Sequence, residues 1–203
     1  KRTAGIRLAG DLLIVDLLRH NGEVVGACGL HLPSGAPVTI AAKATIVATG
    51  GLTRLYRRNS ASANMGGDGY ALALRAGAPL IDMEFVQFHP TGMVWPPSVK
   101  GLLVTEAVRG EGGLLTNRNG ERFMEKYDPE RMELSTRDVV ARSIYIEVQE
   151  GRGTPHGGAY LDISHRGAEY VKKKLPSMYH QFMEFAEIDI TKEPMEVFPT
   201  THY

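Results

Sequence analysis

Apolar and β-branched stretches near the start of the chain predict a small antiparallel sheet. Residues 12–18 and 23–32 are rich in leucine and valine, and Asn21-Gly22 between them is a strong hairpin signal. A third short strand is predicted at 38–40, after the turn residues at 33–35. Together the three strands predict a β-meander.

A short apolar run at 45–48 is followed by Thr49, Gly50 and Gly51. Continuous apolar strands are usually buried on both faces in a parallel sheet, and open parallel sheets bind ligands beyond the carboxyl ends of their strands. Paired glycines there let the backbone approach a ligand, although a plain glycine turn explains the same residues more simply. The run therefore predicts a strand whose end either binds a ligand or merely turns.

Small residues dominate 70–78, which we predict to be a helix that follows a cluster of glycines. Asp68 stands where an N-cap residue is expected. A carboxylate at the start of a helix can equally hold a hydroxyl group of a cofactor. These residues alone favour neither role over the other.

An extended pattern at 79–88 opens the second part, and we predict that it ends in a chain reversal at 89–92. Further on, an apolar run leads into Thr105, Glu106 and Arg109, and a glycine cluster follows. Residues three and four apart on a helix are neighbours, so these side chains share a face. By itself the segment predicts a short amphipathic helix with an ion pair worth ~0.2–0.5 kcal/mol.

The clearest helix is predicted at 134–148, where apolar residues recur every four positions. Ser135 and Asp138 give its start a capping-box pattern. Arg137, in the first turn, opposes the helix macrodipole by about 0.3–1 kcal/mol. We therefore expect Asp138 or an anion outside the helix to lie beside Arg137, unless this side chain is simply solvated.

The remaining segments complete an α+β pattern. A hairpin is predicted over 114–124 with Asn119-Gly120 in its turn. A strand at 159–163 and an extended segment at 194–199 are also predicted, with two helices between them at 168–175 and 177–186.

Composition and charge exclude several classes of function. Lys plus Arg and Asp plus Glu both number 23, so bulk charge gives no support for nucleic-acid binding. The single cysteine, Cys28, excludes an internal disulfide, and we expect it in a strand core in a reducing compartment. The seven histidines include no pair at metal-ligand spacing, so no metal site is predicted. No apolar run approaches the ~20 residues that span a bilayer.

Short motifs occur in one order along the chain: Ala48-Thr49-Gly50-Gly51, Gly67-Asp68-Gly69, His89-Pro90-Thr91-Gly92, Thr105-Glu106 with Arg109-Gly110-Glu111-Gly112-Gly113, Gly120-Glu121-Arg122-Phe123-Met124, Arg137-Asp138-Val139-Val140 and Pro199-Thr200-Thr201-His202-Tyr203. Each motif alone is weak, but their order is highly specific. The chain resembles the flavoprotein subunit of succinate dehydrogenase and fumarate reductase over almost all of its length.

This resemblance implies an α+β fold in two parts. Residues 1–88 correspond to the carboxyl-terminal part of an FAD-binding domain, namely a β-meander plus a strand of a Rossmann-like sheet. Residues 89–203 correspond to an α+β capping domain. The family's dinucleotide fingerprint, the histidine that bonds FAD in many members, and a second substrate arginine have no counterpart in this sequence. We therefore expect a central piece of a longer flavoprotein that, isolated, neither retains FAD nor turns over substrate.

The resemblance also implies roles for individual residues. Three look like substrate contacts: His89, Thr105 and His202. Arg137 looks like the residue that exchanges a proton with the substrate, and Glu106 and Arg109 look like the relay that connects it to solvent. Four look like FAD contacts: Thr49, Gly50, Gly51 and Asp68.

The chemistry of the implied reaction agrees with these residue types. Succinate and fumarate are dianions, which suits a site of histidines and arginine. Hydride passes between the substrate and the flavin, with a proton exchanged on the opposite face. Because the pKa of arginine lies above ~12, Arg137 can act only if a neighbour such as Glu106 exchanges its proton rapidly.

The resemblance further implies two partners, a membrane anchor and an iron–sulfur subunit, with a cytoplasmic, peripheral location at the inner face of the membrane. L-Aspartate oxidase is an alternative with the same architecture: Ala107 and the run at 161–165 favour it, whereas Gly92, Gly113 and Thr200-Thr201 favour the dehydrogenase. As an isolated fragment, the chain could instead be a non-catalytic module that binds a dicarboxylate or a partner protein.

Overall fold

The computed structural model describes residues 5–203, which form two compact units. The first comprises residues 5–52 and 65–84, and the second comprises Thr53–Asn64 and Phe85–Tyr203. Both combine antiparallel strands with short helices, which confirms the α+β prediction. The expected division after residue 88 lies four residues beyond the one between the units, and the assignment of FAD-binding and capping domains stays a prediction.

The first unit contains the predicted meander. Strands β1 (Leu12–His20), β2 (Glu23–His31) and β3 (Ala36–Ala41) pair antiparallel in that order. Both residues of the Asn21-Gly22 turn have positive φ, as the tight hairpin turn requires. Within β2, a Cβ on Gly29 would lie 2.0 Å from the carbonyl oxygen of Leu13, so glycine permits close pairing there.

The strand predicted at 45–48 does not form. These residues pair with no neighbour in the described part of the chain, and the side chain of Ile46 is 91% exposed. A strand exists only through its hydrogen-bonded ladder, so an apolar run without a partner strand stays irregular.

Helix α1 (Asp68–Arg75) is the predicted small-residue helix, but Asp68 is not its N-cap. Gly67 is the N-cap residue, with φ of 89°, and Asp68 is the first residue of the helix. The positive φ required at the N-cap explains the shift, since glycine adopts it without strain. Asp68 instead places a negative charge in the first turn, where the helix dipole favours it.

The second unit is built on one antiparallel sheet with the strand order β4-β7-β6-β5. Its strands are β4 (Phe88–Met93), β5 (Leu114–Thr116), β6 (Ala159–Asp162) and β7 (Met195–Thr201). Its helices are α2 (Glu106–Gly110), α3 (Met124–Tyr127), α4 (Arg137–Gln149), α5 (Ala168–Lys174) and α6 (Pro176–Ala186).

An apolar core fills the space between this sheet and its helices. Fully buried residues come from the sheet, from α4 and α6, and from the segment that contains α2: Val104, Val108, Leu115, Ile144, Leu161, Phe182 and Met195. Among residues 5–203, no helix is long and apolar enough to cross a membrane.

His89 does not lie at the predicted chain reversal. It lies in β4, which pairs with β7 and is irregular between His89 and Gly92. Pro90 lacks the N–H that a regular ladder needs, and β4 is the edge of the sheet, where such a break is tolerated.

The hairpin predicted over 114–124 is also wrong. Strand β5 pairs with β6, with Leu115 opposite Leu161, while the chain after the turn enters α3. Tertiary burial explains the difference, because this pairing places both leucines in the core at 0% exposure.

Helix α4 begins at Arg137, after Thr136 in an extended conformation. Ser135 is therefore not its N-cap, and the capping box predicted with Asp138 does not form. Of the predicted apolar stripe, Val140 and Ile144 are fully buried, while Val148 is only partly buried.

Glu147, on the buried side of α4, holds four donors at once. Its oxygens accept hydrogen bonds from Asn117 (2.9 Å), Tyr127 (2.7 Å) and two nitrogens of Arg152 (both 2.6 Å). The Arg152 bonds are the main reason that the pKa of Glu147 falls to about 2, although burial opposes this shift. A buried carboxylate with its acceptors filled therefore ties α4 to the turn after β5, to α3 and to the loop that follows α4.

We predict that Glu147→Ala lowers the free energy of unfolding by ~3–5 kcal/mol at neutral pH, because it leaves Asn117 and Arg152 without their acceptor. Urea unfolding measures the change. The control Glu184→Ala, at an exposed position of α6, is expected to stay within ~0.5 kcal/mol of the parent. A loss no larger than that of the control would contradict the role given to Glu147.

Candidate functional site

Two helix N-termini bring Glu106 and Arg137 together. Each is the first residue of its helix, and an extended threonine precedes each. The Nε and Nη2 atoms of Arg137 both lie 3.2 Å from Oε2 of Glu106. Asp138 pairs with Arg142 at 3.1 Å and not with Arg137. Glu106 is therefore the anion outside the helix that was expected beside Arg137.

Arg109 lies behind Glu106 and is buried, at 2% exposure. Its Nη2 lies 4.0 Å from Oε2 of Glu106, and its Nη1 donates to the backbone carbonyl of Glu133 at 2.5 Å. Its Nε and Nη2 have no hydrogen-bond partner. Burial lowers the pKa of Arg109, while Glu106 opposes that shift. Two unpaired donors on a buried cation favour binding of an acceptor-rich ligand.

Glu133 fixes the carbonyl that holds Arg109. Its carboxylate is buried and accepts two bonds from Arg122, at 3.0 and 2.6 Å, and one from the Leu115 amide at 3.0 Å. Burial acts to raise the pKa of Glu133, but the Arg122 and Leu115 bonds outweigh it and the net shift is downward. Glu133 was not predicted from the sequence, although Arg122 in the Gly-Glu-Arg-Phe-Met motif could have pointed to an acidic partner.

His89 and His202 form an edge-to-face pair with ring centroids 5.5 Å apart. Nδ1 of His89 accepts the Thr91 amide at 3.3 Å, which places the proton of the neutral ring on Nε2. Nδ1 of His202 lies 3.0 Å from the Ser60 hydroxyl. One ring lies in β4 and the other directly after β7, and these contacts fix the orientation of both.

Both histidines have lowered pKa values. Burial lowers the pKa of His89 to about 4, helped by His202, Arg137 and Arg109, and opposed by Glu106. Burial and then Arg137 lower the pKa of His202. Burial and, second to it, the cationic neighbours therefore keep the rings neutral near pH 7, and an anion beside them would raise both pKa values.

Gln87 joins Arg137 to the end of β7 and was also missed. Its Oε1 accepts a hydrogen bond from Nη1 of Arg137 at 3.2 Å. Its backbone makes hydrogen bonds with the backbone of His202 and Tyr203. The two-residue period of a strand could have found it, because Gln87 precedes His89 by two positions.

Thr105 precedes Glu106 at the exposed N-cap position of α2, where its side chain makes no capping bond. A cavity of about 800 Å³ lies beside Arg137 and Gln87, but neither histidine lines it. The cluster of charged and imidazole groups, and not this cavity, therefore defines the candidate site.

The predicted FAD contacts lie in the first unit. Thr49, Gly50, Gly69 and residues of α1 line a cavity of about 260 Å³, whereas Gly51 and Asp68 do not line it. A Cβ on Gly69 would lie 2.0 Å from Oγ1 of Thr49, so only glycine lets α1 pack this closely against Thr49. The residues fit one wall of a dinucleotide site. In the described residues, no group of three or more potential ligands could hold a metal ion.

The chain is similar to known flavoproteins. A family model described as an FAD binding domain matches residues 2–203. A fumarate reductase (CoM/CoB) chain of Methanothermobacter marburgensis is 54% identical over 98% of this chain and 36% of its own length. The succinate dehydrogenase flavoprotein subunit of Rickettsia bellii is 45% identical over 95% of this chain and 32% of its own length.

Solved structures show the same likeness. Mycobacterium smegmatis Sdh1 in complex with UQ1 matches 95% of this chain and 32% of its own, with a TM-score of 0.79 and 54% identity. An Escherichia coli quinol fumarate reductase matches 95% of this chain and 34% of its own chain, with a TM-score of 0.86 and 39% identity. The chain spans about a third of the length of these relatives. It belongs to the FAD binding domain family, where it is similar to subunits of succinate dehydrogenases and fumarate reductases.

Proposed function

We propose that this chain is the central segment of an FAD-dependent oxidoreductase that interconverts succinate and fumarate. The observation that carries the proposal is the line of Arg137, Glu106 and Arg109 beside two neutral histidines. The order of the motifs and the similarity to both classes of enzyme support it.

The charges of the proposed site suit a dicarboxylate. Arg109 has two buried donors without a partner, and Arg137 and the imidazole of His89 lie within its electrostatic reach. His202 lies within that of Arg137. Thr105 adds a hydroxyl that makes no capping bond. A dianion would satisfy these donors and offset the excess of positive charge, which is how guanidinium and imidazole groups orient carboxylates.

Proton exchange is proposed for Arg137. In the reductive direction its guanidinium gives a proton to one substrate carbon while the other carbon receives hydride. A deprotonated arginine is strongly unfavourable, so Glu106, 3.2 Å away, passes a replacement proton to Arg137 at once. Glu106 is 57% exposed and can take that proton from water, and Arg109 holds its carboxylate in place.

FAD supplies the hydride chemistry when bound, by accepting hydride from succinate or returning it to fumarate. Thr49, Gly50 and Gly51 would hold it through close backbone approach, and Asp68 through its carboxylate. Thr49 and Gly50 line the cavity of the first unit, whereas Gly51 and Asp68 do not, so the chain supplies one wall of the proposed FAD site.

The proposed partners are a membrane anchor and an iron–sulfur subunit, with the flavoprotein peripheral at the inner face of the membrane. The solved relative from Mycobacterium smegmatis is described in complex with UQ1, which supports electron exchange with a quinone.

Arg137→Ala in the full flavoprotein is expected to lower succinate and fumarate turnover by at least about a hundredfold, because proton transfer at the substrate carbon is lost. FAD absorbance should be unchanged. Arg142→Ala, in the same helix and exposed, is the matched control and should retain activity. Near-normal turnover by the Arg137 variant would remove it from the mechanism.

L-Aspartate oxidase activity is the second candidate and is separated in the same assay. We expect turnover of succinate with an artificial acceptor and none of L-aspartate with oxygen. Aspartate turnover without succinate turnover would refute the proposed substrate.

Fumarate binding to the full flavoprotein is expected to take up protons. The free site holds His89 neutral with a pKa of about 4, and a dianion beside it raises the pKa of both imidazoles. Affinity should therefore rise as pH falls from about 7.5 to about 5.5, by at most about tenfold per unit for each proton. Calorimetry in buffers of different ionisation enthalpy measures the uptake, which His89→Gln should reduce. Binding independent of pH would contradict this.

The isolated 203-residue chain is expected neither to retain FAD nor to turn over substrate, since one wall of the cofactor site cannot exclude solvent from the flavin. Gel filtration after incubation with FAD tests this, with the full flavoprotein as the positive control. A flavin absorbance band that comigrates with the short chain would overturn the expectation.

A further inference from the structure

A second cavity in the larger unit is lined by four cationic side chains. Its volume is about 270 Å³, and its cations are Arg54, Arg57, Arg58 and Lys100. Asn59, Met93, Val94, Gly101 and Thr200 complete the walls. None of these residues belongs to the cluster around Arg137, so the cavity is separate from the proposed substrate site.

No carboxylate neutralises this cluster. Across residues 5–203, none of the four cations lies within 4.0 Å of an acidic oxygen. The buried arginine of the candidate site differs, because Arg109 has Glu106 and the backbone of Glu133 close by. Four like charges around one cavity repel one another unless an anion lies between them.

Arg58 has the most constrained position in the cluster. Its guanidinium carbon lies 4.2 Å from the ring centroid of Phe198, a cation–π contact that holds the group in place. Its Nη1 is buried and has no hydrogen-bond partner. Burial and the neighbouring Arg57 both lower the pKa of Arg58. A held guanidinium with a buried unpaired donor has the features of a ligand contact.

Two close backbone contacts hold the segment that carries the arginines beside the cavity. The Thr201 amide donates to the carbonyl of Arg58 at 3.0 Å, which anchors the arginine segment to the end of β7. Gly101 has φ of 90°, and a Cβ there would lie 2.8 Å from the carbonyl oxygen of Asn59. Only glycine permits this approach, and the neighbouring Lys100 lines the same cavity as the arginines.

We propose that this cavity binds a multivalent phosphate anion, of the size of a diphosphate group. Guanidinium groups match phosphate oxygens in pairs, and lysine adds a point charge. The volume is several times the ~30 Å³ share of one water molecule, which admits a diphosphate but not a whole dinucleotide. This inference goes beyond the proposed function and does not depend on it.

Calorimetric titration of the FAD-loaded full flavoprotein with pyrophosphate tests the site. We expect one saturable site, with affinity at least about tenfold weaker in Arg58→Gln, since a charged hydrogen bond is lost. Lys100→Gln, at an exposed position, should weaken binding without risk to the fold. Arg118→Gln, an exposed arginine outside the cavity, is the matched control and should bind as the parent does.

Further ligands identify the source of the anion. ADP that binds as tightly as pyrophosphate points to a nucleoside diphosphate, whereas pyrophosphate alone points to a free anion, and either supports the proposal. Citrate of equal affinity would overturn the assignment to phosphate. The absence of saturable binding, or equal affinity in the parent, Arg58→Gln and Arg118→Gln proteins, would overturn the site itself.

Discussion

The burial of one charged side chain, Arg109, is the constraint on which the candidate site depends. A guanidinium at 2% exposure is stable only with acceptors nearby, because its desolvation is costly. Glu133 offers its backbone carbonyl, and its own carboxylate is fixed by Arg122 and the Leu115 amide. Glu106 offers its carboxylate from the other side and pairs with Arg137 as well. Core and site are thus joined through one arginine.

Burial, together with nearby positive charge, also sets the protonation state of the two imidazoles. His89 is buried beside His202 and two arginines, so protonation would add a further cation where water is scarce. Each ring accepts or shares a hydrogen bond at Nδ1, which orients it before any ligand arrives. A neutral, oriented pair next to cations suits an incoming dianion, because proton uptake can follow binding. Geometry and electrostatics therefore favour the same class of ligand.

Local signals predicted some elements well and others badly, for a common reason. The meander and the helix at 134–148 follow from turn residues and apolar spacing, which act over a few positions. The strand expected at 45–48, the reversal at 89–92 and the hairpin over 114–124 all failed where the outcome depended on a distant partner. Strand β5 pairs with β6 because that pairing buries Leu115, and no local pattern specifies it.

The sequence by itself determined the α+β class, the β-meander, the helix that carries Arg137 and, through the order of its motifs, the family. It also indicated which residue types could meet a dicarboxylate. The spacing of Glu106 and Arg109 already indicated their pairing. The tertiary structure alone decided that Arg137 meets Glu106, and that Gln87, Ser60 and Glu133 hold the site in place. The physical reason is that these contacts join residues far apart in the chain, and only packing around a shared core sets their distances and pKa values.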